Sequence, residues 1–225
     1  MNQIEALQRL ETLGTRGFET RDAAALLQVA PANAHMILSR LARAGLLTHV
    51  SRGHWLLGAA AGFVLAELIS APSPAYISLQ SALFHHSMIE QIPAVIYAVT
   101  LGRPRRVQTP QATVSFHRMP PELFNGFEVA VDGHSKIATP EKALFDVLYL
   151  APGRSRLFAK LPELEIPRGF RWKELQRCTE LVRSPSRRSF LAVTIERLRS
   201  KSTLRPRRRS PVQRPLVQRV PARHR

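Results

Sequence analysis

Cysteine is almost absent from this chain: Cys178 stands alone among 225 residues. One thiol cannot form an internal disulfide, and it cannot supply the several cysteines of a structural zinc site. The sequence also lacks an uncharged apolar run of about 18 residues, which a membrane-spanning helix would need. Its first residues, MNQIEALQRLE, do not follow the basic, apolar and small-residue order of a secretory signal. These absences predict a cytoplasmic protein with no membrane segment.

The common enzyme motifs are missing as well. There is no Walker loop, no G-x-G-x-x-G and no G-x-S-x-G elbow. The histidines at 85, 86, 117 and 134 do not show a compact metal-ligand spacing such as H-E-x-x-H. We therefore expect no enzymatic activity, no catalytic residues, no cofactor and no metal site. A nuclease whose carboxylates converge only in the folded chain stays open as an alternative.

Acidic residues are scarce relative to basic ones. There are 16 Asp and Glu against 33 Lys and Arg, which gives a formal net charge of +17. Residues 201–225 hold nine basic and no acidic residues, so they carry +9 and the rest of the chain carries +8 (17 − 9). Such a surplus favours polyanions, nucleic acid first, as partners. The arginine- and proline-rich tail, 201–225, is expected to be disordered.

The first 57 residues have the pattern of a winged helix-turn-helix. Apolar residues at helical spacing end before Gly14, Thr20 is a candidate cap for a second short helix, and a third helix is predicted from Pro31 to Ala44. Two strands, at 46–50 and 54–57, are then joined by a short turn that includes Arg52. In this order the third helix can enter the major groove of DNA, and the hairpin forms a wing.

The third helix of this segment offers donors for reading bases. Residues at 34, 37, 38 and 41 should face the core, which leaves the polar residues for the outer surface. Asparagine suits an adenine edge, arginine suits guanine or phosphate, and the wing tip is placed for a backbone contact. The candidate DNA-binding residues are Asn33, His35, Ser39, Arg40, Arg43 and Arg52.

After residue 57 the pattern changes to an irregular mixture of strands and helices. We predict a linker at 58–74 containing a short helix, and an α+β domain at 75–200, with the basic patch 103–106 in a turn between two strands. The stretch ATPEKALFDVLYL, 138–150, is predicted to be an amphipathic helix capped by Thr139. Glu141 and Asp146 lie about 140° apart on such a helix and form no catalytic pair. Lys142 and Asp146 are expected to form a surface ion pair.

Several short stretches, taken in order, resemble the AbiEi-type antitoxins. They are GLL at 45–47 with SRGHWL at 51–56, YISLQSALFHH at 76–86, QIPAVIY at 91–97, GFE at 126–128 and IATPEKALFDVLY at 137–149. The stretch 29–32, VAPA, departs from the family in lacking a Ser or Thr cap, and the basic tail is not a feature we associate with it.

The resemblance implies an antitoxin and autorepressor of a type IV toxin–antitoxin system that acts in abortive infection. Its winged helix would bind inverted repeats in the promoter of its own operon, with the six candidate residues as the reading surface. Its second domain would counteract a nucleotidyltransferase-like toxin, without necessarily forming a stable complex. A second hypothesis is a winged-helix transcriptional regulator whose C-terminal domain senses a ligand or partner and which has no toxin.

Overall fold

The structure, a computed structural model, describes residues 2–58, 63–129, 135–151 and 163–204. Within these ranges the fold is mixed α+β, with eight α-helices and two sheets. The α+β class expected from the sequence is therefore confirmed. The linker residues 59–62 and the tail residues 205–225 lie outside the described ranges.

Three helices and a small antiparallel sheet make up the N-terminal part. The helices are α1 (Gln3–Glu11), α2 (Thr20–Leu27) and α3 (Pro31–Arg43), and the strands are β1 (Gly17–Glu19), β2 (Leu47–Ser51) and β3 (His54–Leu57). Strand order is β1-β3-β2. The three helices and the β2–β3 hairpin agree with the sequence prediction, whereas β1 was missed because three residues are too few to show an alternating pattern.

Between the N-terminal part and the larger sheet, the chain forms helix α4 (Val64–Ser70), as expected for the short helix near 63–69. Its Leu65 is fully buried and shares one apolar core with Val50 and Leu56 of the hairpin. The two parts also meet where Gln111 Nε2 donates to the backbone oxygen of His49, at 3.3 Å. The N-terminal sheet therefore packs directly on the rest of the molecule.

The second part is built around a six-stranded mixed sheet. Its strands are β4 (Ala75–Ile77), β5 (Ile96–Thr100), β6 (Arg105–Gln108), β7 (Thr113–Arg118), β8 (Phe127–Val129) and β9 (Lys136–Ala138). Their order is β6-β7-β5-β4-β9-β8, with β5–β7 and β4–β9 parallel and the other pairs antiparallel. The helices are α5 (Leu79–His85), α6 (Pro140–Leu150), α7 (Trp172–Glu180) and α8 (Pro185–Leu204), with a short 3-10 helix at Pro121–Leu123.

Two local predictions need correction in this part. Arg105 and Arg106 were expected in a turn, but they begin the edge strand β6. The Arg105 guanidinium lies 5.4 Å from the ring centroid of Phe116, which holds this end of the strand on the sheet. Helix α8 continues to Leu204, so the first four residues of the predicted tail are helical.

Helix α6, the ATPEKALFDVLYL segment, begins as predicted but is not amphipathic. Thr139 Oγ1 accepts from the Lys142 backbone N–H at 3.3 Å, and Pro140 is the first helical residue. Every residue from 141 to 148 is buried, because α6 packs against α5, α7, α8 and strand β9 at once. The expected surface ion pair is therefore wrong: the side chains of Lys142 and Asp146 are 1% and 0% exposed, and their charged atoms are 2.6 Å apart.

Candidate nucleic-acid interface

A tight connection of three residues sets the angle between α2 and α3. Gln28 follows the last residue of α2, and its left-handed backbone (φ 55°, ψ 44°) reverses the chain. The N–H of Val29 donates back to Ala24 O at 3.1 Å. Pro31 then occupies the first position of α3, and no side chain caps that helix. This agrees with the lack of a Ser or Thr cap in VAPA, and proline's restricted φ starts the helix instead.

One face of α3 is buried and the opposite face is mostly exposed. Ala34, Leu38 and Leu41 are fully buried, as predicted, whereas Ile37, also expected to face the core, is half-buried. At about 100° per residue, the side chains of Met36, Ser39, Arg40 and Arg43 fall within about 100° of arc on the other side. Asn33 and His35 border that arc on opposite sides. Of these six α3 residues, Ser39 is half-buried and the other five are exposed.

In the part of the chain that the structure describes, no carboxylate pairs with the arginines on this surface. Among the described residues Arg40, Arg43 and Arg52 form no ion pair. By contrast, Arg9 and Arg21 are paired with acidic neighbours at 2.9 Å. An arginine without a carboxylate partner keeps its donors available for phosphate or a base edge.

The tip of the β2–β3 hairpin, which carries Arg52, is fixed against the start of α2. The N–H of Thr20 donates to Gly53 O at 2.8 Å, and Gly53 has the positive φ (+80°) that this turn requires. Thr20 was predicted to cap α2, but Glu19 occupies the capping position. The hydroxyl of Thr20 instead accepts from the indole N–H of Trp55 at 2.9 Å and lies 3.3 Å from Gly53 O.

Trp55 connects the hairpin to α3. Its side chain is 2% exposed. The ring of His35 on α3 lies 5.6 Å from the indole, and that of His49 on β2 lies 4.5 Å from it, between centroids. Because helix and hairpin share this buried residue, the outer face of α3 and the β2–β3 hairpin are held as one surface. His49 was missed by sequence reasoning, although its position opposite Trp55 in the hairpin register could have indicated it.

Charge is less concentrated in the N-terminal part than the whole-chain value suggests. Residues 2–58 contain six Arg and four Asp or Glu, a net charge of +2. Since the tail carries +9 of the total +17, residues 59–200 carry the remaining +6. The basic character of the chain therefore supports an affinity for polyanions in general, and the case for α3 depends on its geometry.

A second cluster of polar side chains is buried around α6. Asp146 Oδ2 accepts from the hydroxyls of Tyr76 and Ser78 at 2.9 and 2.7 Å, and Lys142 Nζ donates to Leu123 O at 2.7 Å. Burial raises the pKa of Asp146, while Lys142 and the two hydroxyls act to lower it. Burial, and then the Asp146 charge, raise the pKa of Tyr76 well above its ordinary value. Closed off from solvent and satisfied internally, this cluster is suited to holding α6 on β4.

The remaining candidate sites yield little. Among the described residues, no three His, Cys, Asp or Glu side chains are grouped so that they could hold a metal ion; His134 lies outside those residues. No helix in the described ranges is both long and apolar enough to cross a membrane. The chain matches no protein-family model, and no curated protein is similar enough in sequence to be matched.

Proposed function

We propose that residues 1–57 are a winged helix-turn-helix that binds double-stranded DNA, with α3 in the major groove and the Arg52 turn as the wing tip. The observation that carries this proposal is the outer face of α3, where Asn33, Arg40 and Arg43 are exposed and the two arginines form no ion pair with any described residue. A helix of this kind with exposed Asn and Arg has the donors that adenine and guanine edges require.

We further propose that the protein is the antitoxin and autorepressor of a type IV toxin–antitoxin pair. This step rests on the resemblance of the ordered stretches between residues 45 and 149 to AbiEi-type antitoxins. The partners would be inverted repeats in the protein's own promoter and a nucleotidyltransferase-like toxin. In this proposal the protein is cytoplasmic, is not an enzyme and requires no cofactor.

DNA binding is tested by substituting the two α3 arginines together. Arg40→Ala with Arg43→Ala should weaken binding to the DNA upstream of the coding sequence by about tenfold or more, and should flatten the salt dependence. Fluorescence anisotropy with this DNA and with a shuffled fragment measures both effects. The matched control is Arg9→Ala with Arg177→Ala, since these arginines are paired with Glu5 and Glu174 on their own helices. Equal loss in both double variants would contradict the assignment of α3.

The same α3 variant separates repression from antitoxin activity. The full chain is co-expressed with a nucleotidyltransferase-like protein encoded beside it, and growth and promoter activity are measured. The variant should lose repression while still relieving growth arrest, because in the proposal the second domain counteracts the toxin. A neighbour that is toxic but not relieved by the wild-type chain would refute the antitoxin proposal.

A second proposal keeps DNA binding but replaces toxin counteraction with ligand sensing by residues 75–200. The observation that favours it is an open cleft lined by arginines between the 3-10 helix, α6 and α8.

A further inference from the structure

The cleft in the second part of the chain is large enough for a small molecule. It consists of two adjoining hollows of about 600 and 770 Å³, both lined by Glu122, Tyr149, Arg183 and Arg187. Small-molecule pockets are typically about 300–1,000 Å³. Its walls come from the end of β7, the 3-10 helix, the end of α6, the connection between α7 and α8, and the start of α8. The fold rather than one local motif therefore creates it.

The charged side chains of the cleft favour an anion. Arg118, Arg183 and Arg187 line it, and among the described lining residues Glu122 alone is acidic. Arg183 Nε donates to Glu122 Oε1 at 2.8 Å, which uses one of its five N–H donors. Arginine binds phosphate through paired N–H donors, and three of them around one hollow leave a local surplus of positive charge.

The same cleft presents surfaces that suit a planar ring. The guanidinium carbon of Arg187 lies 4.6 Å from the ring centroid of Tyr149, so the two groups are stacked. Phe190, almost one turn further along α8, lines the cleft and is 45% exposed. Both guanidinium planes and phenyl rings stack on heteroaromatic rings, with cation–π attraction adding to apolar contact. A ligand that joins a planar ring to a phosphate would use both halves of the site.

We propose that this cleft binds a nucleotide, with the phosphate on Arg118 and Arg183 and the base against Arg187 and Phe190. Binding here deepens the ligand-sensing proposal. It does not depend on DNA binding by α3 or on the existence of a toxin. Inorganic phosphate would satisfy only the arginines, and a nucleoside would satisfy only the planar surfaces.

The test measures binding of ATP, adenosine and inorganic phosphate to the full chain by isothermal titration calorimetry at physiological salt. Arg187→Ala should weaken ATP binding about tenfold or more, since it removes a charged donor and a stacking plane. Arg188→Ala is the matched control, because this neighbour on α8 changes the charge equally but does not line the cleft. Arg187→Lys should give an intermediate loss of ATP affinity. Glu122→Gln should raise the affinity for ATP, because it removes the carboxylate that repels the phosphates.

Each outcome decides for or against the proposal. A selective loss in Arg187→Ala, with adenosine and phosphate both much weaker than ATP, supports it. Equal losses in Arg187→Ala and Arg188→Ala would show general attraction to a basic surface and would overturn it, as would phosphate binding as tightly as ATP. Thermal melting checks that each variant is folded. If Arg187→Ala does not fold, Glu122→Gln still tests the cleft, because this variant leaves the Arg187–Tyr149 stack intact. Anisotropy with DNA is measured separately, so a failure of α3 would not be confused with a failure of the cleft.

Discussion

Replacing Lys142 by methionine should strongly destabilise the second part of the molecule. Methionine keeps most of the apolar stem, so the change removes a charge and leaves only a small cavity. The ammonium is 2.6 Å from Asp146 Oδ1 and 2.7 Å from Leu123 O, and both side chains of the pair are at most 1% exposed. Without Lys142, the described partners of the buried Asp146 carboxylate are the hydroxyls of Tyr76 and Ser78, and Leu123 O loses this donor.

Breaking a buried pair from one side typically costs about 3–5 kcal/mol, within a total stability of about 5–15 kcal/mol. The double variant Lys142→Met with Asp146→Asn should be more stable than Lys142→Met alone, because the neutral amide still accepts from Tyr76 and Ser78. Lowering the pH should also help the single variant. Burial raises the pKa of Asp146 above its unfolded value, and loss of the Lys142 cation raises it further, so the folded state takes up the proton first.

Urea unfolding followed by circular dichroism at pH 7 and pH 5 measures these effects. We expect the largest loss in the free energy of unfolding for Lys142→Met at pH 7. The loss should be smaller for the same variant at pH 5 and for the double variant at pH 7. The prediction is refuted if the free energy of unfolding of Lys142→Met at pH 7 lies within about 1 kcal/mol of the wild-type value, because breaking a buried pair should cost well above that. It is also refuted by a double variant whose loss equals the sum of the two single losses.

Two further predictions concern the surroundings of this pair. Since burial raises the pKa of Tyr76 above 10.0, the unfolded chain loses that proton first, and stability should fall as pH rises above 10. Tyr76→Phe should remove up to about 1.4 kcal/mol per pH unit of that slope in urea titrations, and an unchanged slope would contradict this. Gly126→Ala should lower the melting temperature more than Gly169→Ala. Both glycines have positive φ (+71° and +86°), but only at Gly126 would an added Cβ meet a side chain, Lys142 Cβ at 3.1 Å. Equal shifts for the two would show that crowding at Lys142 plays no part.

Local patterns predicted most of the N-terminal part. The third helix was expected from 31 to 44 and runs Pro31–Arg43, followed by Gly45 with a positive φ. Its buried residues followed from spacing alone, because a helix of 3.6 residues per turn sorts apolar and polar side chains onto opposite faces. The exposure of Asn33, His35, Arg40 and Arg43 followed from the same periodicity. Ser39 is half-buried, and Arg52 is exposed because it lies at the tip of the hairpin.

Strand pairing was harder to predict from the sequence. β1 and β6 are both short. The strand character of β1 depends on a partner distant in the chain, β3, whereas β6 pairs with the next strand, β7, across the short turn at 109–112. A three-residue strand has no periodicity of its own, and an arginine pair such as Arg105–Arg106 has no local preference that marks an edge strand. The role of Trp55 in joining His35 to His49 likewise depends on how the hairpin and α3 pack.

By itself, the sequence determined where α6 begins, through Thr139 and Pro140, and that Lys142 and Asp146 lie on one side of it, because capping and i, i+4 spacing are local properties. Only the tertiary structure decided that this side is buried, since four other elements surround α6 and exclude water from it. The arginine-lined cleft has the same origin. Arg118, Tyr149 and Arg187 are far apart in the chain, and only the packing of α8 against α6 brings them to one hollow.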